Sequence, residues 1–281
     1  MVHKRKPEWL KIKLPQNSLS AVSKHHLNTI CSSGLCPNRS ECWGCGTATF
    51  MIGGDVCTRS CKFCNVKTGR PAPLDPDEPR KIADSVHSLC LKHAVITSVD
   101  RDDLSDLGAS HWVRVIEAVK AKNPGTTMEV LIPDFQGRKD LIGMILEAHP
   151  EVVSHNLETV RRLSKTVRSR ATYDVSLEVI RQIAAYGAVA KSGIMLGLGE
   201  TRDEVVETMD DLLEAGCSVM TVGQYLQPSR NNIEVSEYVH PDIFAEYQRI
   251  GKEKGFAHIE SAPLVRSSYH AERHVKNSIS K

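Results

Sequence analysis

Short runs rich in valine, isoleucine, leucine and threonine recur along the chain. This is the pattern of strands buried on both faces, and the runs lie at 47–52, 94–99, 126–132, 151–155, 188–196 and 218–226. Apolar residues with helical spacing lie between some of them, at Ile82, Val86 and Leu89, at Val175, Val179, Ile180 and Ile183, and at Val205, Met209, Leu212 and Leu213. This alternation predicts parallel strands joined by helical crossovers.

The predicted fold class is α/β, with about six or seven parallel strands. Such a sheet is either open and doubly wound or an incomplete (β/α) barrel, and the pattern leaves both possibilities open. In either case the loops at the carboxyl ends of the strands gather around one site. We expect an N-terminal extension at 1–50, the strand and helix region at 51–255 and a C-terminal segment at 256–281, forming one compact unit.

Composition and charge exclude several classes of protein. Hydrophobic residues make up 41% and charged residues 25% of the chain, and no apolar run approaches the ~18 residues of a membrane span. The net charge of +2 and the spread of basic residues give no footprint for nucleic acid. Two local basic clusters fit either a solvated surface or a docking surface for an acidic partner: Lys4, Arg5, Lys6, Lys11 and Lys13, and Arg161, Arg162, Lys165, Arg168 and Arg170.

Seven of the nine cysteines are crowded into one stretch, from Cys31 to Cys64. The first residues contain no apolar segment typical of a secretory signal, so we expect a cytoplasmic location and reduced thiols. Reduced thiols at this density are typical of metal ligands. The other two cysteines, Cys90 on a predicted helix and Cys217 at a helix–strand junction, are expected in the buried core.

Two groupings of the crowded thiols compete. One is a C-x2-C pair followed, after fifteen residues, by a second such pair, which is a structural zinc pattern; its members are Cys42, Cys45, Cys61 and Cys64. The other consists of two triads, the Cys57 triad (Cys57, Cys61 and Cys64) and the Cys31 triad (Cys31, Cys36 and Cys42). The triads use six of the seven cysteines, so we favour them, with Cys45 as a spectator.

The Cys57 triad, with its C-x3-C-x2-C spacing, follows a strand and carries Phe63 just before its last cysteine. Three thiolates on one loop can hold three irons of a cubane cluster and leave the fourth iron open. This region resembles the radical S-adenosylmethionine (SAM) superfamily. The resemblance implies a partial (β/α)6-type barrel, a catalytic [4Fe-4S] cluster on Cys57, Cys61 and Cys64, SAM bound at the open iron, and Phe63 near the adenine.

Further segments are similar to the lipoyl synthases, a family within that superfamily. They lie at 36–38, 41–44, 46–52, 57–59, 97–104, 155–160, 191–200 and 223–228, and in the motif Arg266-Ser267-Ser268-Tyr269. The resemblance implies that Cys31, Cys36 and Cys42 hold an auxiliary [4Fe-4S] cluster and that Ser268 supplies its fourth ligand. A different radical SAM sulfur-inserting enzyme and a zinc-stabilised binding module are the alternatives.

The resemblance also implies the reaction, a sulfur transfer in lipoate biosynthesis. Two sulfur atoms enter an octanoyl chain, at carbons six and eight, on a lysine of a carrier domain. The C–H bonds there are unactivated, so a 5'-deoxyadenosyl radical made from SAM removes hydrogen and the auxiliary cluster supplies sulfur. The implied partners are octanoylated E2 subunits of 2-oxoacid dehydrogenases, the glycine-cleavage H protein, a flavodoxin or ferredoxin reductant and an iron–sulfur carrier protein.

The SAM-binding residues of the family are carried over to three places in this chain. Asn156 and Glu158 match a ribose-binding position after a predicted strand. The glycine-containing segment that follows admits close approach of the backbone to adenine, at Gly193, Met195 and Gly197. Thr97 and Ser98 end another strand and are expected at the methionine end of SAM.

Overall fold

Nine strands form two sheets in the described part of the chain. The computed structural model describes residues 5–11, 29, 36, 38, 41–42 and 46–276. Within them, strands β2 and β3 pair only with each other, and the other seven form one parallel sheet in the order β1-β4-β5-β6-β7-β8-β9. The strands are β1 (Thr47–Ile52), β2 (Val56–Cys57), β3 (Lys67–Thr68), β4 (His93–Ser98), β5 (Thr127–Leu131), β6 (Val152–Ser154), β7 (Val189–Leu196), β8 (Val219–Gln224) and β9 (His258–Ser261).

Eight α-helices accompany these strands in the described part of the chain. They are α1 (Glu78–Ser88), α2 (Ala109–Lys122), α3 (Lys139–Glu147), α4 (Arg161–Val167), α5 (Tyr173–Tyr186), α6 (Arg202–Glu214), α7 (Pro241–Lys254) and α8 (Glu272–Lys276). Short 3-10 turns lie at Glu8–Leu10 and Phe135–Gly137. Local sequence fixes the start of α6, where Thr201 and Glu204 form a capping box. The box satisfies two backbone N–H groups that would otherwise lack partners.

The strand order identifies the architecture. Each strand of the large sheet lies beside the next one along the chain, once the small β2–β3 ladder is set aside. A doubly wound sheet reverses direction at a switch point, and this sheet does not reverse. The fold is therefore a partial barrel, as the resemblance implied. The expected boundary at 255 falls between α7 and β9, and β9 continues the same sheet.

The two faces of the barrel strands have opposite character, because side chains alternate along a strand. The face that packs on helices is apolar and belongs to the main core, with Phe50, Ile96, Met128, Val130 and Val222 among its members. Polar side chains are buried at the intervening positions, among them Thr49, Thr97, Glu129, Lys191 and Thr221. The barrel interior therefore contains hydrogen-bonding and charged groups as well as apolar side chains.

The predicted elements are confirmed within one or two residues at most ends. All six predicted strands are present, and the apolar stripes predicted as helices lie on α1, α5 and α6. The sequence pattern missed the short strands β2 and β3, the strand β9 and five helices, α2, α3, α4, α7 and α8. None of the helices in the described ranges is long and apolar enough to cross a membrane.

The prediction for Cys90 was wrong, whereas that for Cys217 is confirmed. Cys217 is buried, with its thiol donating to the carbonyl of Val219. Cys90 is exposed, because α1 ends at Ser88 and the chain turns towards β4 with Cys90 at φ 49°. Cys31 and Cys45 lie outside the described residues.

The second basic cluster is not one free surface. Arg162 forms an ion pair with Glu204, and Arg170 lies 3.5 Å from Asp102. Arg168 is buried. Most of the positive charge of this cluster is therefore paired with acidic residues of the same chain. The interpretation of the cluster as a docking surface gains no support. Of the first cluster, Lys4 and Lys13 lie outside the described part.

We predict that Gly197→Ala lowers the free energy of unfolding more than Gly187→Ala does. Both glycines have positive φ, 92° and 89°, so both substitutions cost about 1 kcal/mol of backbone strain. A Cβ at Gly197 would also lie 2.4 Å from the Glu237 carbonyl, whereas nothing lies near one at Gly187. Overpacking adds about 1–3 kcal/mol. Chemical denaturation of the two variants measures the difference, and equal losses would contradict the close approach.

Candidate functional site

The Cys57 triad lies on a loop that the small ladder closes. Cys57 ends β2, Cys61 and Cys64 follow before β3, and the Gly69 amide donates to the Cys57 carbonyl over 3.0 Å. All three cysteines line one cavity of about 300 Å³. Thr97 and Ser98 at the end of β4 also line it, so the cavity opens at the carboxyl ends of the strands. This is the end at which a barrel of this kind carries its site.

The surroundings of Cys57 favour a bound thiolate. Backbone N–H groups of Arg59 and Asp100 donate to its Sγ atom over 3.4 and 3.3 Å. In the metal-free chain, burial and then the Asp100 carboxylate raise the pKa of Cys57 to about 12, and burial raises that of Cys64 to about 11. Both thiols are thus neutral until a metal displaces their protons. The two backbone donors would then stabilise the sulfur charge.

Arg59 fixes the triad loop to two neighbouring loops. Its guanidinium donates two hydrogen bonds to Asp102 (2.8 and 2.8 Å) and two to Asp134 (3.0 and 2.8 Å). Burial would lower the pKa of Arg59, but the two carboxylates raise it, and Arg59 in turn lowers the pKa of Asp134 to about 2 against the effect of burial. This cage of charges sets the loop against the ends of β4 and β5.

The end of α4 and the segment after β8 hold the rest of the triad loop. The Lys62 amide donates to the Val167 carbonyl over 2.9 Å, and the Asn232 side chain donates to the Cys64 carbonyl over 2.8 Å. The segments after β6 and after β8 therefore also determine where the three thiols lie.

A second cavity, of about 350 Å³, adjoins the first. Phe63, Cys64, Asn156 and Glu158 line both cavities. Of the other residues expected to bind SAM, Thr97 and Ser98 line the first cavity, and Gly193 and Met195 line the second. Gly197 lines neither, and its amide donates to the Glu200 carboxylate over 2.5 Å. This geometry gives no support to contact between Gly197 and adenine.

Two polar atoms at these cavities lack hydrogen-bond partners. Asn156 Oδ1 and Ser98 Oγ are buried and have none among the described residues. A Cβ at Gly193 would lie 3.2 Å from Asn156 Oδ1 and 2.4 Å from Thr221 Oγ1, so glycine keeps that space open. Buried polar atoms are otherwise nearly always satisfied. The two cavities together therefore fit a ligand that carries hydroxyl or amino groups, as SAM does.

Glu158 is held in an unusual conformation beside Asn156. Its φ is 67°, in the left-handed region, which a residue other than glycine rarely adopts. Its amide donates to the Gly193 carbonyl and its carbonyl accepts from the Met195 amide, over 3.0 and 2.9 Å. Burial raises the pKa of its carboxyl, and Arg168 opposes this. Strain of this kind is characteristic of ligand sites.

The Arg266-Ser267-Ser268-Tyr269 motif meets the N-terminal extension. The Asn38 side chain donates to the Leu264 carbonyl over 2.6 Å, and the Tyr269 hydroxyl donates to Glu41 over 3.1 Å. Cys36 lies close enough to Arg266, and Cys42 to Tyr269, to shift their pKa values, although burial is the larger effect on both. Ser268 lines the first cavity together with the Cys57 triad.

A single metal ion finds no ready ligand set in this part of the molecule. Among the described residues, no three His, Cys, Asp or Glu side chains are grouped as one ion would require. The zinc grouping of Cys42, Cys61 and Cys64 with Cys45 therefore gains no support from the three members that are described. In a cubane cluster each protein ligand binds a different iron, so the ligand atoms lie further apart than those around a single metal ion.

Sequence reasoning missed the cage around Arg59. Arg59 and Asp102 lie within segments that carried the family resemblance, but no role was assigned to them, and Asp134 was not singled out. The signal was available in part, because charged residues that directly follow buried strands lie at the rim where a barrel carries its site.

Comparisons with known proteins agree with this geometry. A model of the radical SAM superfamily matches residues 51–212. The chain is 68% identical over 278 residues to a lipoyl synthase of Treponema denticola, covering 97% of this chain and 96% of that protein. It is 64% identical over 278 residues to a lipoyl synthase of Parabacteroides distasonis, covering 97% and 99%.

Solved structures are similar in fold. Streptococcus suis SuiB, bound to the precursor peptide SuiA, gives a TM-score of 0.62 at 12% identity, covering 86% of this chain and 52% of that one. Methylornithine synthase gives 0.56 at 15% identity, covering 74% and 63%. At these identities the likeness concerns the barrel alone.

We predict that His155 makes the protein less stable in mild acid. The His155 ring lies beside the Ile132 carbonyl (2.9 Å) and the Ser176 hydroxyl (3.0 Å), and burial lowers its pKa to about 4. The unfolded chain takes up this proton near pH 6.5, so stability falls as the pH drops from about 6.5 to 4. Between pH 7.5 and 5.0 this histidine alone should cost about 2 kcal/mol.

Chemical denaturation of His155→Gln at the two pH values measures this cost. The variant should lose about 2 kcal/mol less than wild type between pH 7.5 and 5.0. His87→Gln, which removes an exposed histidine on α1, should behave as wild type. Equal losses in all three proteins would show that His155 does not carry the effect.

Proposed function

The chain belongs to the lipoyl synthase family of the radical SAM superfamily, and on that premise we propose that two separate [4Fe-4S] clusters flank its first cavity. The Cys57 triad would hold one cluster and the Cys31 triad with Ser268 the other. The proposal rests above all on one observation: Ser268, from the far end of the chain, lines the same cavity as Cys57, Cys61 and Cys64.

The reaction itself follows from family membership. The protein is a sulfur-inserting transferase that converts a protein-bound octanoyl group into the lipoyl cofactor, using SAM and [4Fe-4S] clusters. When bound, these groups supply one-electron chemistry and the sulfur atoms for two unactivated C–H positions. The protein's own residues must hold the clusters, orient SAM and exclude water from the reacting carbons.

The second cavity is our candidate for the adenosine part of SAM. Its walls contain Phe63 and the backbone from Gly193 to Met195, and it continues to Cys64. Asn156 and Glu158 stand at the junction with the first cavity. The unpartnered Asn156 Oδ1 would accept a hydrogen bond from a ribose hydroxyl.

The first cavity is our candidate for the octanoyl chain. Much of its wall is apolar, through Met51, Val95, Val99 and Leu131. An alkyl chain gains about 0.8 kcal/mol for each CH₂ group that it buries. An octanoyl chain in this cavity would lie beside both the Cys57 triad and Ser268, which line the same cavity. Hydrogen removal and sulfur insertion at one substrate require this.

Ser268 would be a chemically distinct ligand. Thiolates are soft and an oxygen ligand is hard, so an iron held by Ser268 would be released more easily than one held by cysteine. Such weakness suits a cluster that must give up its sulfide during turnover.

The substrates of the family are lipoyl carrier domains. As finer assignments we propose octanoylated E2 subunits of 2-oxoacid dehydrogenases and the glycine-cleavage H protein as substrates. A flavodoxin or ferredoxin would be the electron donor, and an iron–sulfur carrier protein would be a further partner. We also propose a cytoplasmic location, because a reducing compartment keeps cluster-binding cysteines as thiols.

We predict that Ser268→Ala abolishes lipoyl formation but not SAM cleavage. The auxiliary cluster would lack its fourth protein ligand, whereas the Cys57 triad would be intact. Lipoyl product should fall at least about 100-fold, while 5'-deoxyadenosine release should stay within about 3-fold of wild type. Mass spectrometry of an octanoylated carrier domain and chromatography of 5'-deoxyadenosine give the two rates.

Ser267→Ala is the matched control, since this neighbouring serine also lines the cavity but is not a proposed ligand. It should retain most of the product. Ser268→Cys should keep the cluster and slow sulfur insertion, because the substituted thiolate holds iron more firmly. Normal insertion of both sulfurs by Ser268→Ala would refute the role proposed for the serine.

A further inference from the structure

A buried ion pair crosses the barrel interior, and neither the clusters nor the SAM site accounts for it. Lys191 on β7 donates to both carboxylate oxygens of Glu129 on β5, each over 2.7 Å, and both side chains are 0% exposed. Strand β6 separates β5 from β7 in the sheet. The two side chains therefore meet across the inner face of the barrel.

The same ammonium group also contacts the C-terminal motif. Lys191 Nζ donates to the Ser267 carbonyl over 2.5 Å. An ammonium group has three N–H donors, so two bind Glu129 and the third binds this carbonyl. Ser267 immediately precedes Ser268, the proposed ligand of the auxiliary cluster. Lys191 thus contacts the residue directly before that ligand.

The chain beyond the motif returns to the same pair. His274 on α8 is fully buried, and its Nδ1 atom lies 3.7 Å from the Glu129 carboxylate. Glu272 accepts a hydrogen bond from the Thr47 hydroxyl over 3.2 Å. The Ser268 backbone is therefore held between two contacts to one charged pair inside the barrel.

The segment before the motif lies tightly against the barrel wall. A Cβ on Gly223 of β8 would lie 2.2 Å from the Val265 carbonyl, and the Gln224 amide donates to the Pro263 carbonyl over 3.2 Å. These contacts fix the approach of the segment. They do not reach Ser267, where the Lys191 ammonium supplies the hydrogen bond.

Stability alone is a poor reason for this pair. Removing two charges from water costs several kcal/mol for each ion, and replacing a buried ion pair with apolar residues is often neutral or stabilising. Burial would raise the pKa of Glu129, yet Lys191 and then His274 lower it, whereas burial lowers the pKa of Lys191 against the effect of Glu129. A pair kept at this depth at such a cost is explained if the hydrogen bond from Lys191 to the motif is needed.

We propose that Lys191 is a positioning residue, oriented by Glu129, whose hydrogen bond to the Ser267 carbonyl aims Ser268 at the auxiliary cluster. The proposal rests on the assignment of Ser268 as a cluster ligand. Lys191 touches neither SAM nor substrate in this scheme. It acts through the backbone of the motif, so its loss should weaken the auxiliary cluster and leave the Cys57 triad unaffected.

The test uses the double variant Glu129→Met/Lys191→Met in the full-length reconstituted protein. Lys191→Met alone would leave a buried carboxylate unpaired and risks unfolding the chain, whereas the double variant removes both charges and keeps similar side-chain volumes. Its thermal midpoint should stay close to that of wild type. Lys120→Met is the matched control, because Lys120 also joins a carboxylate, Glu151, to a backbone carbonyl, that of His149, away from both cavities.

Two measurements report on position rather than on overall activity. Hydrogen–deuterium exchange should show faster exchange at residues 266–270 in the double variant and no change in the control. Iron of the auxiliary cluster should be lost to a chelator about 10–100-fold faster, with 5'-deoxyadenosine release retained. Wild-type exchange at 266–270 and wild-type iron retention in the folded double variant would overturn the proposal.

Ser268→Ala in the same series separates this proposal from the one on which it rests. If Ser268→Ala keeps its auxiliary iron as wild type does, Ser268 is not a ligand and the cluster assignment fails. Exchange at 266–270 in the double variant would still report whether Lys191 holds the motif. If Ser268→Ala loses that iron and the double variant does not, Lys191 has no positioning role.

Discussion

All seven strands of the main sheet run parallel and follow one another in chain order, so their carboxyl ends form a single rim. The rest of the structure depends on this geometry. It brings the loop of the Cys57 triad together with the loops after β4, β5 and β8 and with the end of α4, and each of them contributes a hydrogen bond that fixes the triad. Residues far apart in sequence thereby become walls of two adjoining cavities. The first has much apolar wall, and the two unpartnered polar atoms, Ser98 Oγ in the first cavity and Asn156 Oδ1 at the junction, also lie there.

The barrel contains buried charged and polar side chains as well as apolar ones. Its helix-facing side holds the apolar core, while the inner side presents threonines and the Glu129–Lys191 pair. Lys191 of that pair contacts the C-terminal motif at the Ser267 carbonyl. The N-terminal extension meets the same motif through Glu41, and Asn38 contacts Leu264 just before it. In our account, both ends of the chain and the barrel interior cooperate to hold the auxiliary cluster opposite the Cys57 triad.

Features that are local in sequence could be predicted, and features that depend on distant contacts could not. Strand positions, the spacing of the two triads and the buried Cys217 follow from short patterns. Cys90 was misjudged because a helix ends two residues before it, and Arg168 because its partners lie on other elements. The cage of Arg59, Asp102 and Asp134 spans 75 residues of sequence, and the Lys191–Glu129 contact spans 62. Such pairings depend on which strands are neighbours in the barrel. The periodicity of the sequence did not distinguish a barrel from an open sheet.

The central claim is that two cysteine triads hold two separate clusters. Its most direct test is the iron, acid-labile sulfide and zinc content of the anaerobically reconstituted protein, beside the triple variants Cys57→Ala/Cys61→Ala/Cys64→Ala and Cys31→Ala/Cys36→Ala/Cys42→Ala. The account predicts about eight irons per chain in the wild type and about four in each variant. One zinc with negligible iron in the wild type, or the loss of all iron in both variants, would contradict it.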